Sequence, residues 1–553
     1  MKRIILLVPA ILSAVLLWAA FPPMGETSSI VFALAPLLVV SRLCTPKKAL
    51  WLWFLGGFLF WFATLSWMPA VSKNNGPLPL VILGWMGLAA LCAGYFALYG
   101  WLAARAWRRL TDFGRPALKL LGVVLMEPIL WAGVEWLRGW LFTGFAWNYL
   151  GTAIGRLPSL LTPARLGGVY LVSALVLLLN GVFATVICRL LAQMRIPGIE
   201  GLDLWVMGGR NRLVRMLETA LPLGLILFVF WLSTLSIPRQ ADPTSRRLLR
   251  VALVQRNAPC VFAQRDPNEN PVQVFSRLLA PAMVANPDLI VWAESAMDEF
   301  GRLGGAGAQK AAKYFSDQTG GASLLAGGGW SVKAENGESH HWNAAGLYTP
   351  VGTNMELQVY GKQHLVPFGE FIPLDKWIPA LQKLSPIGVS LWPGEPKVLD
   401  LVVRDGEKVK IAPLICFEDT DPSLARRAAE LGAQAIVLIT NDSWFSHSQE
   451  TVQHSWQAVM RAVETGLPVI RVGNSGVTGV IYPSGRTRWL EDEEGSPLVD
   501  AQGMKVETVP VDGKPVATPY TRVGDVPLLA LFLLAVVGTF VKMPVKRREE
   551  VAA

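Results

Sequence analysis

The sequence predicts a two-part protein: a polytopic α-helical membrane domain of about eight transmembrane helices, and an α/β domain of layered sheet and helix placed before the last of them. Three observations lead there. The chain of 553 residues is 52% hydrophobic with 22 tryptophans and has a mean hydropathy of +0.39, a composition that a wholly soluble protein of this size does not support. Long apolar stretches recur up to residue 240 and once more near the end, each bounded by charge or by Pro/Gly-rich turns. Between residues 239 and 524 the texture changes to short apolar runs that alternate with helical periodicity.

The expected spans lie at roughly residues 4–21, 29–43, 49–70, 78–104, 118–138, 167–193, 217–237 and 525–543. This divides the chain into a membrane domain over 1–238, an α/β domain over 239–524, and a last helix with a basic tail over 525–553. Basic residues near helix ends resist translocation. Here Lys2 and Arg3, then Arg42, Lys47 and Lys48, then Arg105, Arg108 and Arg109, then Arg189, Arg210 and Arg212, and finally Lys546 to Arg548, occupy every second loop. Both termini are therefore expected in the cytoplasm and residues 239–524 outside it. The first segment has the basic start, apolar core and Ala19-Ala20 of a secretory signal, but six more spans follow it before residue 240, and a retained helix is the expectation.

The +9 formal charge does not point to nucleic acid, because many of the basic residues flank apolar runs instead of forming a folded patch. Of five cysteines, Cys44, Cys92 and Cys188 lie in or beside apolar segments, where the residue behaves as a small hydrophobe. Cys260 and Cys416 remain for chemistry. No CxxC or Cys/His ladder is present, so neither a metal nor another cofactor is expected.

Within 239–524, strands are expected at Leu249–Gln255, Leu289–Ala293, Ser323–Gly327, Lys410–Ile415, Ala435–Thr440 and Val469–Val472, and helices at 271–285, 307–317, 422–431 and 449–465. The pattern supports a layered sheet with covering helices and leaves parallel and mixed pairing both open. Glu294 and Cys416 each end a strand-like apolar run, where open α/β sheets assemble sites, and Lys362 lies in a Gly/Pro-bounded loop. Singly, each has an ordinary explanation as packing or surface charge. Together they supply a base, a cation and a nucleophile: the carboxylate takes the thiol proton, and the ammonium favours the thiolate and then the oxyanion of a tetrahedral intermediate.

Glu294, the string Gly361-Lys362-Gln363-His364-Leu365-Val366-Pro367-Phe368-Gly369-Glu370, and Ile415-Cys416-Phe417-Glu418 resemble the carbon-nitrogen hydrolase (nitrilase) superfamily. Leu137-Arg138-Gly139-Trp140-Leu141-Phe142-Thr143-Gly144-Phe145, Asn441-Asp442-Ser443-Trp444-Phe445, Gln453-His454, Arg461-Ala462 and Gly473-Asn474-Ser475-Gly476 extend the likeness to the apolipoprotein N-acyltransferase family over nearly the whole chain. Two positions depart from the family pattern: Ser446 stands where Gly is common, and Phe262 falls near a position that often holds Trp.

The resemblance implies a nitrilase-like α-β-β-α sandwich in the periplasm, on a multi-pass protein of the bacterial inner membrane. Glu294 would be the general base, Lys362 the oxyanion stabiliser and Cys416 the nucleophile, with Glu370, Phe417 and Glu418 in support. The implied reaction is ping-pong. A phospholipid, typically phosphatidylethanolamine, would acylate Cys416, and the thioester would pass to the N-terminal amine of a diacylglyceryl apolipoprotein. An apolar arm over residues 371–392, with Trp377 and Trp392, is the candidate lipid contact. A membrane-tethered amidase, in which water resolves the acyl-enzyme, is the alternative.

Overall fold

The computed structural model describes residues 7–74, 76–112, 121–194, 212–237, 246–333, 337, 339–373, 377 and 390–541, apart from the side chains of 110–112, 212–215 and 262. Its apolar helices are α1 (Val8–Ala20), α2 (Ala35–Leu43), α3 (Pro46–Thr64), α4 (Leu78–Asp112), α5 (Glu127–Trp140), α6 (Ala164–Gln193) and α7 (Arg212–Leu235), with a further one at Val526–Phe540. Among the described residues, four segments are long and apolar enough to cross a membrane: Pro46–Asn74, Leu78–Arg109, Ala164–Gln193 and Met216–Leu235. The other apolar helices are shorter. The span expected over 29–43 breaks into a 3-10 turn at Thr27–Val31 and the nine-residue α2, which opens on Ala35-Pro36. Proline can begin a helix there but cannot continue one. The span expected over 118–138 starts outside the described residues; from Gly122 to Met126 it is a π turn that leads into α5.

The first helix is packed into this bundle. Ala10, Ala14 and Leu17 are buried, and a Cβ on Gly56 of α3 would meet the Ala10 carbonyl at 3.1 Å, so the two helices approach at backbone distance. Arg42, counted above among the loop charges, is instead a buried bidentate partner of Glu127: Nε lies 3.1 Å from Oε1 and Nη2 2.7 Å from Oε2, with Thr185 Oγ1 at 2.9 Å from Nη1. A charge that stays in an apolar bundle needs such pairing. Arg138 and Glu135 serve the following loop. Arg138 donates to the carbonyls of Phe145 and Trp147 at 2.6 and 2.7 Å, and Glu135 accepts the Leu150 N–H at 2.7 Å.

The α/β part contains two six-stranded mixed sheets. One has the order β12-β1-β2-β3-β4-β5 and the other β11-β10-β9-β8-β7-β6, where β1 is Arg246–Gln255, β2 Leu289–Trp292, β3 Ser323–Lys333, β4 Ser339–Val351, β5 Asn354–Gly361, β6 Leu399–Val402, β7 Lys408–Ile415, β8 Ala435–Thr440, β9 Val469–Gly473, β10 Gly479–Ile481, β11 Thr487–Trp489 and β12 Gly503–Asp512. The pairs β1/β2, β2/β3, β7/β8 and β8/β9 are parallel, and antiparallel strands extend both edges. Helices α8 (Pro271–Ala285) and α9 (Ala306–Gln318) cover the first sheet; α10 (Pro422–Glu430) and α11 (Glu450–Thr465) cover the second.

Strand periodicity builds these layers. On β1, Leu249, Val251 and Leu253 face the core between the sheets, while Ala252 and Val254 face α8 and α9. On β8, Ala435, Val437 and Ile439 face that same inner core, and Ile436 and Leu438 face the other way. All six expected strands and all four expected helices are present, with ends shifted by a few residues. The antiparallel strands β4, β5, β6, β10, β11 and β12 complete the sheets.

The second sheet's outer cover continues into the membrane domain. Helix α11 is buried at every residue except Val452, although its sequence is mostly polar. Its polar side chains find partners on both sides. Gln453 Oε1 accepts from the indoles of Trp67 and Trp147 at 3.2 and 2.9 Å, and its Nε2 donates to the Pro22 carbonyl at 3.0 Å. Where α6 kinks at Gly167 and Gly168, the Val169 N–H donates to Glu464 Oε1 at 2.7 Å.

Candidate active site

Glu294 follows β2, Lys362 follows β5 and Cys416 follows β7. β2 and β7 are parallel strands of different sheets, so stacking the sheets brings their carboxyl ends to one place. Glu294 Oε1 lies 3.9 Å from Lys362 Nζ, and the Cys416 thiol interacts electrostatically with both. Cys416 sits at φ 52° in the left-handed region, a conformation that costs a non-glycine residue energy and turns the side chain out of the strand path. It is half-buried, whereas Lys362 is 1% and Glu294 8% exposed.

Burial pushes the Glu294 carboxyl up, helped by Glu370 and opposed by Lys362 and by hydrogen bonds from Asn343 and the Asn441 N–H. It is therefore a better proton acceptor than a solvated glutamate. Burial works against the Lys362 ammonium, but Glu370, Cys416 and Glu294 outweigh it and hold the amine ionised. Burial and Glu294 push the Cys416 thiol well up, against the pull of Lys362. The resting nucleophile is thus a neutral thiol beside a base, and proton removal belongs to the reaction step.

Supporting groups fix this geometry. Glu370 lies 2.8 Å from Lys362 Nζ and accepts the Val366 N–H at 2.8 Å. Asn343, in the middle of β4, donates to Glu294 Oε1 and to Glu370 Oε1, each at 2.6 Å, so one amide spaces two carboxylates that would otherwise repel. The Asn441 N–H holds the other Glu294 oxygen at 2.8 Å. Glu418, expected in a supporting role, is fully buried and faces the backbone. It accepts from Tyr360 Oη, Gln363 N and Ile415 N at 3.0, 2.6 and 2.7 Å, tying the end of β7 to the end of β5, and burial pushes its carboxyl up to about 7. Phe417 stacks on Phe145 and Trp147 with ring centroids 6.2 and 6.3 Å apart. The residue after the nucleophile thus rests on the membrane domain's loop, whose Thr143 carbonyl lies 3.2 Å from His364 Nε2.

The sequence reading gave no role to Asn343, Thr440, Asp419 or Arg471. Asn343 left one signal, a polar residue beside the Ala344-Ala345 pair of a strand. Of the arm, Trp377 is 85% exposed and Trp392 stacks on His340 at 4.0 Å; residues 374–376 and 378–389 lie outside the described residues, as does the Phe262 side chain. Asp442, Glu450 and His454 are close enough together to suggest a cation site. However, both imidazole nitrogens already face carboxylates, Asp442 at 2.9 Å and Asp419 at 3.0 Å, and Arg471 pairs with Asp442 at 3.1 Å, so the carboxylate charge is already met by protein cations.

Residues 13–182 match the family model for the apolipoprotein N-acyltransferase N-terminal domain, and residues 250–511 match the carbon-nitrogen hydrolase model. Among relatives named apolipoprotein N-acyltransferase, one from Geobacter metallireducens is 31% identical, covering 94% of this chain and 91% of its own. One from Pseudomonas aeruginosa is 31% identical, with 93% and 91% covered. One from Vibrio parahaemolyticus is 28% identical, with 92% of each covered. A solved nitrilase-superfamily amidase from Nesterenkonia sp. AN1 is similar at 18% identity and a TM-score of 0.35 over 51% of this chain and 96% of its own, too distant to bear on the reaction. Whole-length similarity at this level, with both family models in order along the sequence, means that the chain belongs to the apolipoprotein N-acyltransferase family and is an acyltransferase.

Proposed function

We propose that the chain moves an acyl group from a phospholipid, phosphatidylethanolamine foremost, through a thioester on Cys416 to the N-terminal amine of a diacylglyceryl apolipoprotein. The carrying observation is the convergence of Glu294, Lys362 and Cys416, with Phe417 set against the membrane domain's aromatic loop. Glu294 takes the thiol proton as Sγ attacks the ester carbonyl, and Lys362 faces the negative charge that develops on the carbonyl oxygen. Collapse breaks the ester C–O bond, and Glu294 returns its proton to the departing lysophospholipid. In the second half the acceptor's free amine attacks the thioester carbonyl, its proton passes to Glu294, and the C–S bond breaks to leave an amide and the thiol.

Both substrates are anchored in lipid, so the site must be served from the bilayer surface. The exposed Trp377 and the Trp392 that stacks on His340 suit an arm that receives acyl chains, since tryptophan favours the membrane interface. The alternating basic loops support a bacterial inner-membrane location with residues 239–524 in the periplasm, between a domain over 1–238 and a last helix within 525–553.

Purified protein incubated with labelled phospholipid and no acceptor tests this reading. The expected product is a hydroxylamine-sensitive acyl adduct on the Cys416 peptide that Cys416→Ser lacks, and adding a diacylglyceryl lipopeptide should convert it to an amide. Absence of the thioester, or normal transfer by Cys416→Ser, would overturn the mechanism. Release of free fatty acid in place of the amide would mean that water resolves the acyl-enzyme and that the protein is a hydrolase.

A further inference from the structure

Directly behind Cys416 lies a closed ring of buried charge. Arg471 of β9 pairs with Asp419 at 3.3 Å and with Asp442 at 3.1 Å, and His454 of α11 bridges the same two carboxylates from its two nitrogens at 3.0 and 2.9 Å. All four are at most 2% exposed. Asp419 belongs to the turn that begins at Cys416, and His454 Nε2 also lies 3.4 Å from the Cys416 carbonyl. The imidazole is charged: burial opposes this, but Asp419 and Asp442 together push His454 up to about 10. Asp442 is driven the other way, below the ordinary carboxylate range: burial opposes ionisation, but His454 and Arg471 prevail. Two anions and two cations make up the ring, the buried Glu450 carboxyl lies 3.6 Å from His454 Nδ1, and Asp442 itself helps to push the Cys416 thiol up.

Thr440 connects this ring to the nucleophile. It is the last residue of β8 and fully buried, and its Oγ1 donates to Asp442 Oδ1 at 2.7 Å. Ile415 of β7 pairs with Ile439 of β8, so Cys416 and Thr440 follow side by side at the strand ends, and the Thr440 hydroxyl acts on the Cys416 thiol in the direction that favours the thiolate. A threonine hydroxyl has one proton and two lone pairs. With a thiol, it can accept from S–H while donating to Asp442. With a thiolate, it can stabilise sulfur only by turning its proton away from Asp442. The turn is inexpensive here, because Asp442 keeps His454 on Oδ1 and Arg471 on Oδ2.

We propose that Thr440 is a catalytic residue that donates its hydroxyl proton as a hydrogen bond to the Cys416 thiolate when Glu294 removes the thiol proton, and that the Asp419–Arg471–Asp442–His454 ring positions it for that swing. This deepens the acyl-transfer reading and rests on it only for the identity of the acyl donor. Among the described residues, the charged groups that act on the sulfur then have roles. Glu294 after β2 is the base, Lys362 after β5 faces the oxyanion with Glu370 behind it, and Asp442 after β8 acts on sulfur through Thr440. His454, Asp419 and Arg471 hold the backbone and Asp442.

The test uses full-length protein in detergent. The rate of Cys416 alkylation by iodoacetamide is followed against pH for wild type, Thr440→Val and Thr440→Ser, together with acyl-thioester formation from labelled phospholipid. Valine keeps the shape and removes the hydroxyl. It should move the alkylation profile to higher pH and slow acylation on the order of 10- to 100-fold, the worth of one hydrogen bond to a charged group; serine should restore both. An unshifted Thr440→Val alkylation profile overturns the proposal, and so does a serine variant no better than valine. If the valine variant fails to fold, the comparison rests on Thr440→Ser against Thr440→Ala. If wild type forms no lipid-derived thioester, the acyl-donor reading fails while the alkylation shift still decides the role of Thr440. A stoichiometric metal in the purified protein, lost in His454→Gln, would make the ring a metal site and also overturn the proposal.

Discussion

Gln453 on α11 accepts a hydrogen bond from the Trp147 indole at 2.9 Å, so a helix of the catalytic sandwich and a loop of the membrane domain share a buried polar contact next to the nucleophile's neighbour, Phe417. The same side chain also serves Trp67 and Pro22. Gln453→Leu should orphan two indole N–H groups and a carbonyl at about 1–3 kcal/mol each. The expected result is a lower thermal midpoint for the full chain in detergent. An unchanged midpoint would mean that water replaces the amide at no cost.

His454 sets an alkaline limit on stability. Its folded-state pKa of about 10 exceeds the ordinary 6.5, so its contribution is fully present below pH 6.5 and is lost as pH rises toward 10. Denaturant midpoints of wild type should fall across that window, and those of His454→Gln should start lower and change less. Parallel curves for the two proteins would show that the imidazole is not charged in the fold.

Glu294 sets an acid limit on activity. Its carboxyl is raised, chiefly by burial, so the rate of thioester formation should fall on acidification at a pH above the ordinary glutamate value of about 4.3. Asn343→Asp places a third carboxyl between Glu294 and Glu370, and the limb should then move to still higher pH and the plateau should drop at least about tenfold. An unmoved limb would exclude Glu294 as the group that titrates.

Trp377→Ala and Trp392→Ala should slow acyl loading from vesicles severalfold while leaving the thermal midpoint within about 1 °C, since the first side chain is 85% and the second 38% exposed. Stopped-flow or quenched loading assays in vesicles and in detergent make the comparison. Equal rates for both variants and wild type would reduce the arm to packing.

Fusions at about residue 300 test the orientation that the basic loops imply. A reporter that works only in the periplasm should be active there and a cytosolic reporter silent. The reverse pattern would place the sandwich on the other side of the membrane.

The legible parts of this protein are those set by local pattern. Short apolar runs located β1, β2, β3, β7, β8 and β9, because strands covered on both faces are apolar at nearly every position, and helical spacing located α8 to α11, because one-sided burial imposes a period on whatever covers a core. Glu294, Lys362 and Cys416 were readable as candidates because they lie at or beyond the ends of such runs and carry the residue types that acyl transfer needs. The antiparallel strands were not read. β4 and β5 carry His, Trp, Asn and Gln among their apolar residues, and their pairing depends on neighbours that no local window contains. The lengths of the apolar helices were not read for a related reason: apolar length alone does not register the proline that starts α2 or the π turn before α5.

By itself the sequence determined that the chain meets lipid, that a layered α/β unit precedes its last apolar helix, and which side chains could form a cysteine-dependent site. Only the tertiary structure decided which polar residues are buried and with whom. Arg42 meets Glu127 across 85 positions and Gln453 reaches Pro22 across 431, while Asn343, Thr440 and the Asp419–Arg471–Asp442–His454 ring gather around Cys416 from β4, β8, β9, α11 and the turns that follow β7 and β8. Hydrophobic periodicity is a one-dimensional signal because every covered face must be apolar. A buried polar group is tolerated only by a specific partner, and that partner is fixed by how the two sheets stack and how α11 seats against the membrane domain.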